Sequence, residues 1–415
     1  MIEELRDPYT ISTKAGYYSP WLKARRFLGP YKRRLLERFR RKAPPPSPVI
    51  GYTDGSKGGL NKRALIAYIA QPFYMKAEEL KQGNSNRLQA VEIAKAFNRL
   101  GYIVDVVDWL DETFIPTNHY DVLFGMGDNF GRLIPYMGDR TIKIYYATGS
   151  YWEFENAAED ARCEGLKARR GIELRLPRRM TANTWTEIAD AVIVIGNQRV
   201  VSLYTPHNRR VFGIDNSAHL TARPDFDRKN FASARRNFLW FGSTGLLHKG
   251  LDLILEVFSE LKELDLWVCG PLESQAECDR DLVRAYRQEL FHTANIHPIG
   301  WISIYSSQFR ELTEKCAFVV SASCAEGMSG GILDCIARGV IPMVSRESGI
   351  DTDGLGVTFE ESSIAEMRRV VTDMANKPPN VCRRLAEEAC KQASTRYILE
   401  NFSRNIERIL KTILE

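Results

Sequence analysis

Residues 325–345 read AEGMSGGILDCIARGVIPMVS. Glu326 is followed by Gly327, Met328, Ser329, Gly330 and Gly331, and a second acid, Asp334, stands eight positions after the first. The run before this stretch, CAFVVSAS (316–323), is apolar and strand-like. The run after it, GILDCIARG, has helical spacing. The glycines therefore form a turn from a strand's carboxyl end into a helix N-terminus. Free backbone N–H groups and the helix dipole there favour an anion, usually a phosphate. Glycine lets that anion approach the backbone closely. Asp334, on the second helical turn, shares a face with Gly330. One carboxylate on each side of a phosphate cradle suits a ligand with hydroxyls at both ends of a diphosphate, such as a nucleotide sugar. The same residues also read as an ordinary glycine turn whose acid complements a helix dipole.

WFGSTGLLHKGLDLILEVF (240–258) is a second strand, glycine turn and helix, with Lys249 at the helix start. A lysine aimed into a cleft supplies a point charge for a departing diphosphate. The plainer alternative is a solvated cap.

These turns need a scaffold, and the chain supplies a regular one. RALIAYIAQPF (63–73), YIVDVVDW (102–109), YDVLFGMG (120–127), IKIYYATG (142–149) and ADAVIVIG (189–196) read as buried strands. NRLQAVEIAKAFNRLG (86–101) reads as a helix with Asn84 or Ser85 as N-cap and Gly101 as C-cap. Residues 214–236 are polar and irregular. The rhythm then restarts with FLWFGS (238–243), LDLWVCG (264–270), a helix over 277–290, NIHPIGWI (295–302), CAFVVSAS, VIPMVS (340–345) and GVTF (356–359). Alternating strands and helices predict two doubly wound, Rossmann-like α/β domains facing a cleft, with ligands beyond the carboxyl ends of the strands. The expected divisions are a basic arm and proline-rich linker over 1–50, a first domain over 51–215 and a second over 216–390. A C-terminal helix over 391–415 is expected to return to the first domain.

The two glycine turns resemble the nucleotide-sugar half of retaining glycosyltransferases of the two-Rossmann (GT-B) type, family four. That pattern is carried by Gly242 with Lys249-Gly250, Val268-Cys269-Gly270, Glu326 to Asp334, and Gly339 through Ser345. It covers about 235–385 well, and GNSNRLQAVEIAKAFNRLGYIVDVVD resembles the family's opening loop, helix and strand. The resemblance implies donor contacts at Gly242, Ser243, Gly270 and Trp301, with Glu326 on the donor sugar and Asp334 on the ribose. Lys249 and the amides from Met328 to Gly331 would stabilise the departing diphosphate. Retention of configuration is implied in the same way. A backbone site near Gly300–Ile302 would meet the base, where Trp301 either stacks or belongs to the core. Two positions depart from the pattern. The second acid is Asp334 where glutamate is usual, and Ser243 stands where an arginine is frequent.

The first domain is expected to hold the acceptor, through Asn84, Ser85 and Asn86 after the first strand, Asp128 after another and Thr148 at the end of a third. Each also reads as a turn or cap. The stretch EFENAAEDARCEGLKARRGIELRLPRR (153–179) reads as a solvated helix face, or as a contact for an acidic acceptor.

Other chemistries are less well served. Asp351-Thr352-Asp353 matches a manganese-binding D-x-D, but Asp279-Arg280-Asp281 and Asp225-Phe226-Asp227 match equally. The six histidines show no H-x-x-x-H spacing. No metal and no cofactor is expected, only a UDP-, GDP- or ADP-sugar as co-substrate. GMGDNFG (125–131) hints at dinucleotide binding but lacks a ribose-binding acid at the expected distance. Three classes stay open: a glycosyltransferase, another sugar-nucleotide or NAD(P)-dependent enzyme on this double fold, and a non-catalytic glycan-binding relative.

Charge is unevenly placed. Residues 23–42 hold ten Lys/Arg and one acid, a net +9 within a chain of +5, so the remaining 395 residues carry −4. A nucleic-acid enzyme spreads basic charge over its folded face instead. From Pro30, Tyr31, Leu35 and Phe39 recur at helical spacing among basic residues, and prolines from 44 end the run. Residues 21–42 therefore read as a basic amphipathic helix for an anionic membrane surface, or as a solvated helix on the acidic body. No secretory leader or membrane span is read, and the eight scattered cysteines read as free thiols. The expected setting is cytoplasmic, at the inner face of a membrane, with a glycan or lipid-linked acceptor.

Overall fold

The computed structural model describes residues 45–55, 61–174, 178–221, 223–274 and 276–415. The basic segment 21–42 lies outside the described residues.

The first sheet has seven strands: β1 (Val49–Tyr52), β2 (Lys62–Tyr68), β3 (Tyr102–Asp108), β4 (Val122–Gly125), β5 (Ile142–Ala147), β6 (Ala191–Ile195) and β7 (Val211–Ile214). Their spatial order is β1-β3-β2-β4-β5-β6-β7, parallel except for β1. The second sheet holds β8 (Asn237–Phe241), β9 (Asp265–Cys269), β10 (Ile296–Pro298), β11 (Phe318–Ser321), β12 (Ile341–Ser345) and β13 (Val357–Phe359). Its order is β10-β9-β8-β11-β12-β13, all parallel. Central strands such as AVIVI of β6 are buried at every position, as expected of a sheet covered on both faces. Two Rossmann-like lobes result. Residues Pro46–Glu415 form one compact unit, so contacts between the lobes can be described directly.

Five helices matter for the cleft: α1 (Ser85–Arg99), α2 (Trp152–Arg170), α3 (Leu251–Glu260), α4 (Gly330–Ala337) and α5 (Leu399–Leu414). The Asn84 side chain caps α1 by accepting from the Arg87 amide at 3.2 Å, and Gly101 follows it at φ +90°. α5 comes last in sequence but packs on α1, where Arg99 pairs with Glu407 at 2.6 Å and Ser403 donates to Glu92 at 2.8 Å. Among the described residues, no helix is long and apolar enough to cross a membrane.

The structure departs from the sequence reading in three places. β1 and β7 are four-residue strands, too short to show a period. The helix read over 277–290 breaks at Tyr286 into two. The charged stretch after 152 is solvated on one face only. α2 lies against the second lobe, with Glu155, Glu159 and Leu166 buried. Leu166 joins the same apolar cluster as Leu247 and Leu251, and Arg162 donates to the Ala322 carbonyl at 2.8 Å. Arg162, Arg169 and Arg170 pair with Asp252, Glu256 and Glu289 of the other lobe, which a single helix's sequence cannot reveal.

Candidate active site

β8 and β11 are neighbours at the centre of the second sheet, pairing Phe318 with Phe238. The chain leaves β8 toward β9 on one side and leaves β11 toward β12 on the other. Such a reversal opens a crevice at the strands' carboxyl ends. Both glycine turns emerge there.

Gly250 brings them together. It sits at φ +71°, and a Cβ at this position would lie 2.4 Å from the Ala322 carbonyl oxygen. Only glycine fits both the conformation and the contact. The turn carrying Lys249 thus touches the end of β11, and Lys249 Nζ forms an ion pair with Glu326 Oε1. Burial alone would raise the Glu326 pKa. Lys249, then His248, outweigh it and hold the carboxyl below its ordinary value. Glu326 is therefore a carboxylate at neutral pH.

The cradle follows. Gly327 packs against the other lobe, where a Cβ would meet the Thr148 and Ile195 carbonyls at 2.6 and 2.8 Å. Ser150 Oγ donates to the Glu326 carbonyl at 2.8 Å. Ser329 is the N-cap of α4 and its side chain makes no capping bond, so the helix's first amides lack intrahelical partners. Gly330 faces Ser85, whose Oγ lies 3.1 Å from where a Cβ would stand, and Gly331 lies against the Phe241 ring. The Met328 carbonyl accepts from Asn216 Nδ2 at 2.7 Å, and Asn216 Oδ1 accepts from Gln89 of α1 at 2.7 Å.

These pieces enclose a cavity of about 360 Å³ between the lobes. From the second lobe it is lined by Gly242, Ser243, Lys249, Gly270, Glu326 and the run Met328, Ser329, Gly330 and Gly331. From the first come Asn84, Ser85, Asn86 and Thr148. Trp301 also lines it and is 68% exposed. The core alternative for Trp301 does not hold, because β10 ends at Pro298 and Gly300, at φ +87°, turns the chain outward first.

Three expected residues do not line the cavity: Gly327, buried against the first lobe, Asp128 and Asp334. Asp128 is exposed in the first turn of the short helix Gly127–Leu133, outside the residues that line the cavity. Asp334 is buried behind the cradle. Its Oδ1 accepts from the His219 amide at 2.7 Å and faces His219 Nδ1 at 3.1 Å. Burial opposes charge on His219, but the Asp334 hydrogen bond prevails and raises its pKa. Asn216, Phe241 and Ile195 line the cavity without having been singled out from sequence. Phe241 lay next to Gly242, so adjacency to the turn was a usable signal. Asn216 lies in the irregular stretch, where no period marks it.

The D-x-D candidates are engaged in structural bonds. Asp351 bonds Asn197 at 2.8 Å, and Asp351 and Asp353 lie 3.6 and 3.5 Å from Arg396. Asp279 accepts from the Gly245 and Leu246 amides, and Asp225 accepts from Asp227 and Arg228 within its own turn. A larger groove of about 580 Å³ lies between α2 and the loop 360–364; it reaches Cys324 but contains neither Lys249 nor Glu326.

Two Rossmann-like lobes facing across such a cleft constitute the GT-B fold. No family model and no curated protein matches the sequence. Solved structures do share the fold. Sucrose-phosphate synthase from Thermosynechococcus elongatus is 12% identical with a TM-score of 0.59, over 85% of this chain and 98% of that one. HepE from Anabaena, solved with UDP-glucose, is 12% identical with a TM-score of 0.53, over 85% and 99%. TarM is 13% identical with a TM-score of 0.50 over 71% of this chain, which spans about half of TarM (54%).

Proposed function

We propose that the protein moves a sugar from a nucleotide-sugar donor to a glycan or lipid-linked acceptor, with retention of configuration and without a metal ion. The Lys249–Glu326 ion pair at the uncapped start of α4, inside the cleft, is the observation that carries this reading. Lys249 and the α4 amides would take the charge that develops on the leaving diphosphate. Glu326, ionised and fixed, would face the donor sugar as positive charge develops at its anomeric carbon. Trp301 would stack on the base. The neutral wall of Asn84, Ser85, Asn86 and Thr148 would meet acceptor hydroxyls. Asp334 would reach the ribose only in competition with His219, an observation that also favours a non-catalytic, glycan-binding relative. HepE was solved with UDP-glucose, and TarM with UDP and glycan ligands, which supports the donor and acceptor classes.

Incubation with UDP-, GDP- and ADP-sugars in EDTA tests the reading. Nucleoside diphosphate should be released from one donor and faster with acceptor present. Binding without turnover would favour the non-catalytic relative, and a response to NAD alone would favour an oxidoreductase. We further propose that residues 21–42 hold the protein on an anionic membrane surface. Each basic residue there is worth about 1 kcal/mol before screening. The full chain should pellet with anionic liposomes at low salt and leave them at high salt, and a chain starting at Ser47 should stay in solution. Equal pelleting of both would remove the arm from the account.

A further inference from the structure

Glu159, His248 and Cys324 meet directly behind the Lys249–Glu326 pair, and the reaction as proposed uses none of them. Glu159 comes from α2, His248 from the turn before α3 and Cys324 from the turn after β11. Glu159 and His248 are each 1% exposed. The His248 ring bonds at both nitrogens. Nδ1 lies 2.9 Å from Glu159 Oε2, and Nε2 makes a short contact with the Ala325 carbonyl.

A carbonyl only accepts, an ionised carboxylate only accepts, and a neutral imidazole has one N–H. Either Glu159 is protonated or the ring carries two protons. Every other bond to Glu159 favours the carboxylate. Its Oε1 accepts from the Arg178 amide at 3.2 Å, and Cys324 Sγ lies 4.0 Å from its Oε2 and 3.5 Å from His248 Nδ1. Bonds donated to the charged form stabilise that form. The same three side chains are ligand types for zinc, with their donor atoms within 4.8 Å of one another. Two first-row ligands on tetrahedral zinc, however, stand about 3.4 Å apart at ordinary bond lengths of about 2.0–2.1 Å. The 2.9 Å between Nδ1 and Oε2 is instead a hydrogen-bond length.

We infer that His248 is a buried imidazolium, paired with Glu159, that clamps the Lys249 turn to the Glu326 turn and sets a second fixed positive charge behind the diphosphate site. His248 directly precedes Lys249, and Ala325 directly precedes Glu326. The Cys324 amide also donates to the His248 carbonyl at 2.9 Å. One ring thus ties both functional residues to each other and to α2. The charged and titratable groups around it are Glu155, Glu159 and Arg178 from the first lobe's chain and Lys249, Cys324 and Glu326 from the second. Arg178 itself pairs with Glu155 at 3.1 Å. Burial works against the imidazolium, but bonds to Cys324 and Glu159 prevail and push its pKa up to about 9. His248 is a positioning residue. Its charged state stands on geometry alone, whereas its effect on a diphosphate rests on the proposed donor site.

Two experiments test these parts separately. Nitrogen-15 NMR of the full chain with labelled histidine, assigned by loss of the signal in His248→Gln, should show both ring nitrogens protonated from about pH 6 to pH 8. A neutral ring at pH 7 overturns the inference, and so does one equivalent of co-purified zinc whose removal shifts that signal. The second experiment compares His248→Gln with His248→Gln/Glu159→Gln. The single variant leaves Glu159 buried and unpaired, so its thermal midpoint should fall, and the double variant should recover it. Nucleoside diphosphate affinity should be weakest in the single variant, which leaves the Glu159 charge unbalanced, and should stay about fivefold weaker than wild type in the double variant, because the imidazolium is still missing. Recovery of affinity together with stability would reduce His248 to a structural clamp. If the wild type binds no nucleoside diphosphate, the donor reading fails, and the ring's titration still decides its charge.

Discussion

The two walls of the cleft are built from different chemistry. The second lobe presents charge: Lys249, the Glu326 carboxylate and the uncapped amides of α4. Among the described lining residues, the first lobe presents neutral amides and hydroxyls, with Asn84, Ser85, Asn86 and Thr148 foremost. Fixed charge suits a group whose own charge changes during reaction, and neutral hydrogen-bonding groups suit hydroxyls that must bind and leave. The contrast therefore predicts that substitutions on one wall change turnover and donor binding, whereas those on the other change acceptor affinity alone.

Glu326→Gln should have the largest effect, lowering kcat by about 10²-fold or more, the scale of losing one preorganised electrostatic contact. Circular dichroism should show an unchanged fold. Near wild-type turnover would remove Glu326 from the reaction. Because its pKa is depressed, the stability it contributes is present above the ordinary carboxylate pKa of about 4.3 and is lost only as pH falls through the lower folded value. A thermal-midpoint series from pH 7 to 3 should therefore flatten in Glu326→Gln.

Lys249→Ala comes next. Losing a charge-assisted bond of about 1.5–3 kcal/mol should weaken nucleoside diphosphate binding roughly 10- to 100-fold, equally with and without EDTA. Activity that requires manganese would break the metal-free reading of this wall. Trp301→Ala should cost less. Stacking of about 0.5–1.5 kcal/mol gives a roughly two- to tenfold loss of nucleoside diphosphate affinity, while pyrophosphate binding is unchanged. Its exposure predicts no change in thermal midpoint. Asn86→Ala should be smallest. Asn86 is exposed on the neutral wall, so acceptor KM should rise about two- to tenfold with donor affinity untouched. A change in donor affinity here would erase the contrast between the walls.

The same asymmetry governed what the sequence disclosed. Lys249 and the run from Glu326 to Gly331 were legible because strand, glycine turn and helix are local, and their order implies a crevice. Asn84, Ser85, Asn86 and Thr148 were legible as strand-end polar residues, whereas Asp128 met the same criterion and points elsewhere. Trp301 could not be placed, since the three-residue strand before it hides where the chain turns outward. The engagement of Asp334 by His219 and the crossing of α2 to the second lobe depend on pairs 115 and more than 80 residues apart. No period or motif reports contacts of that range.

Calorimetric titration of the full chain with UDP, GDP and ADP in EDTA, repeated on Lys249→Ala, tests the central claim most directly. One nucleoside diphosphate should bind the wild type without metal and bind the variant at least tenfold more weakly. Equal affinity in both proteins, or binding that appears only with manganese, would contradict the assignment of the charged wall to a nucleotide diphosphate.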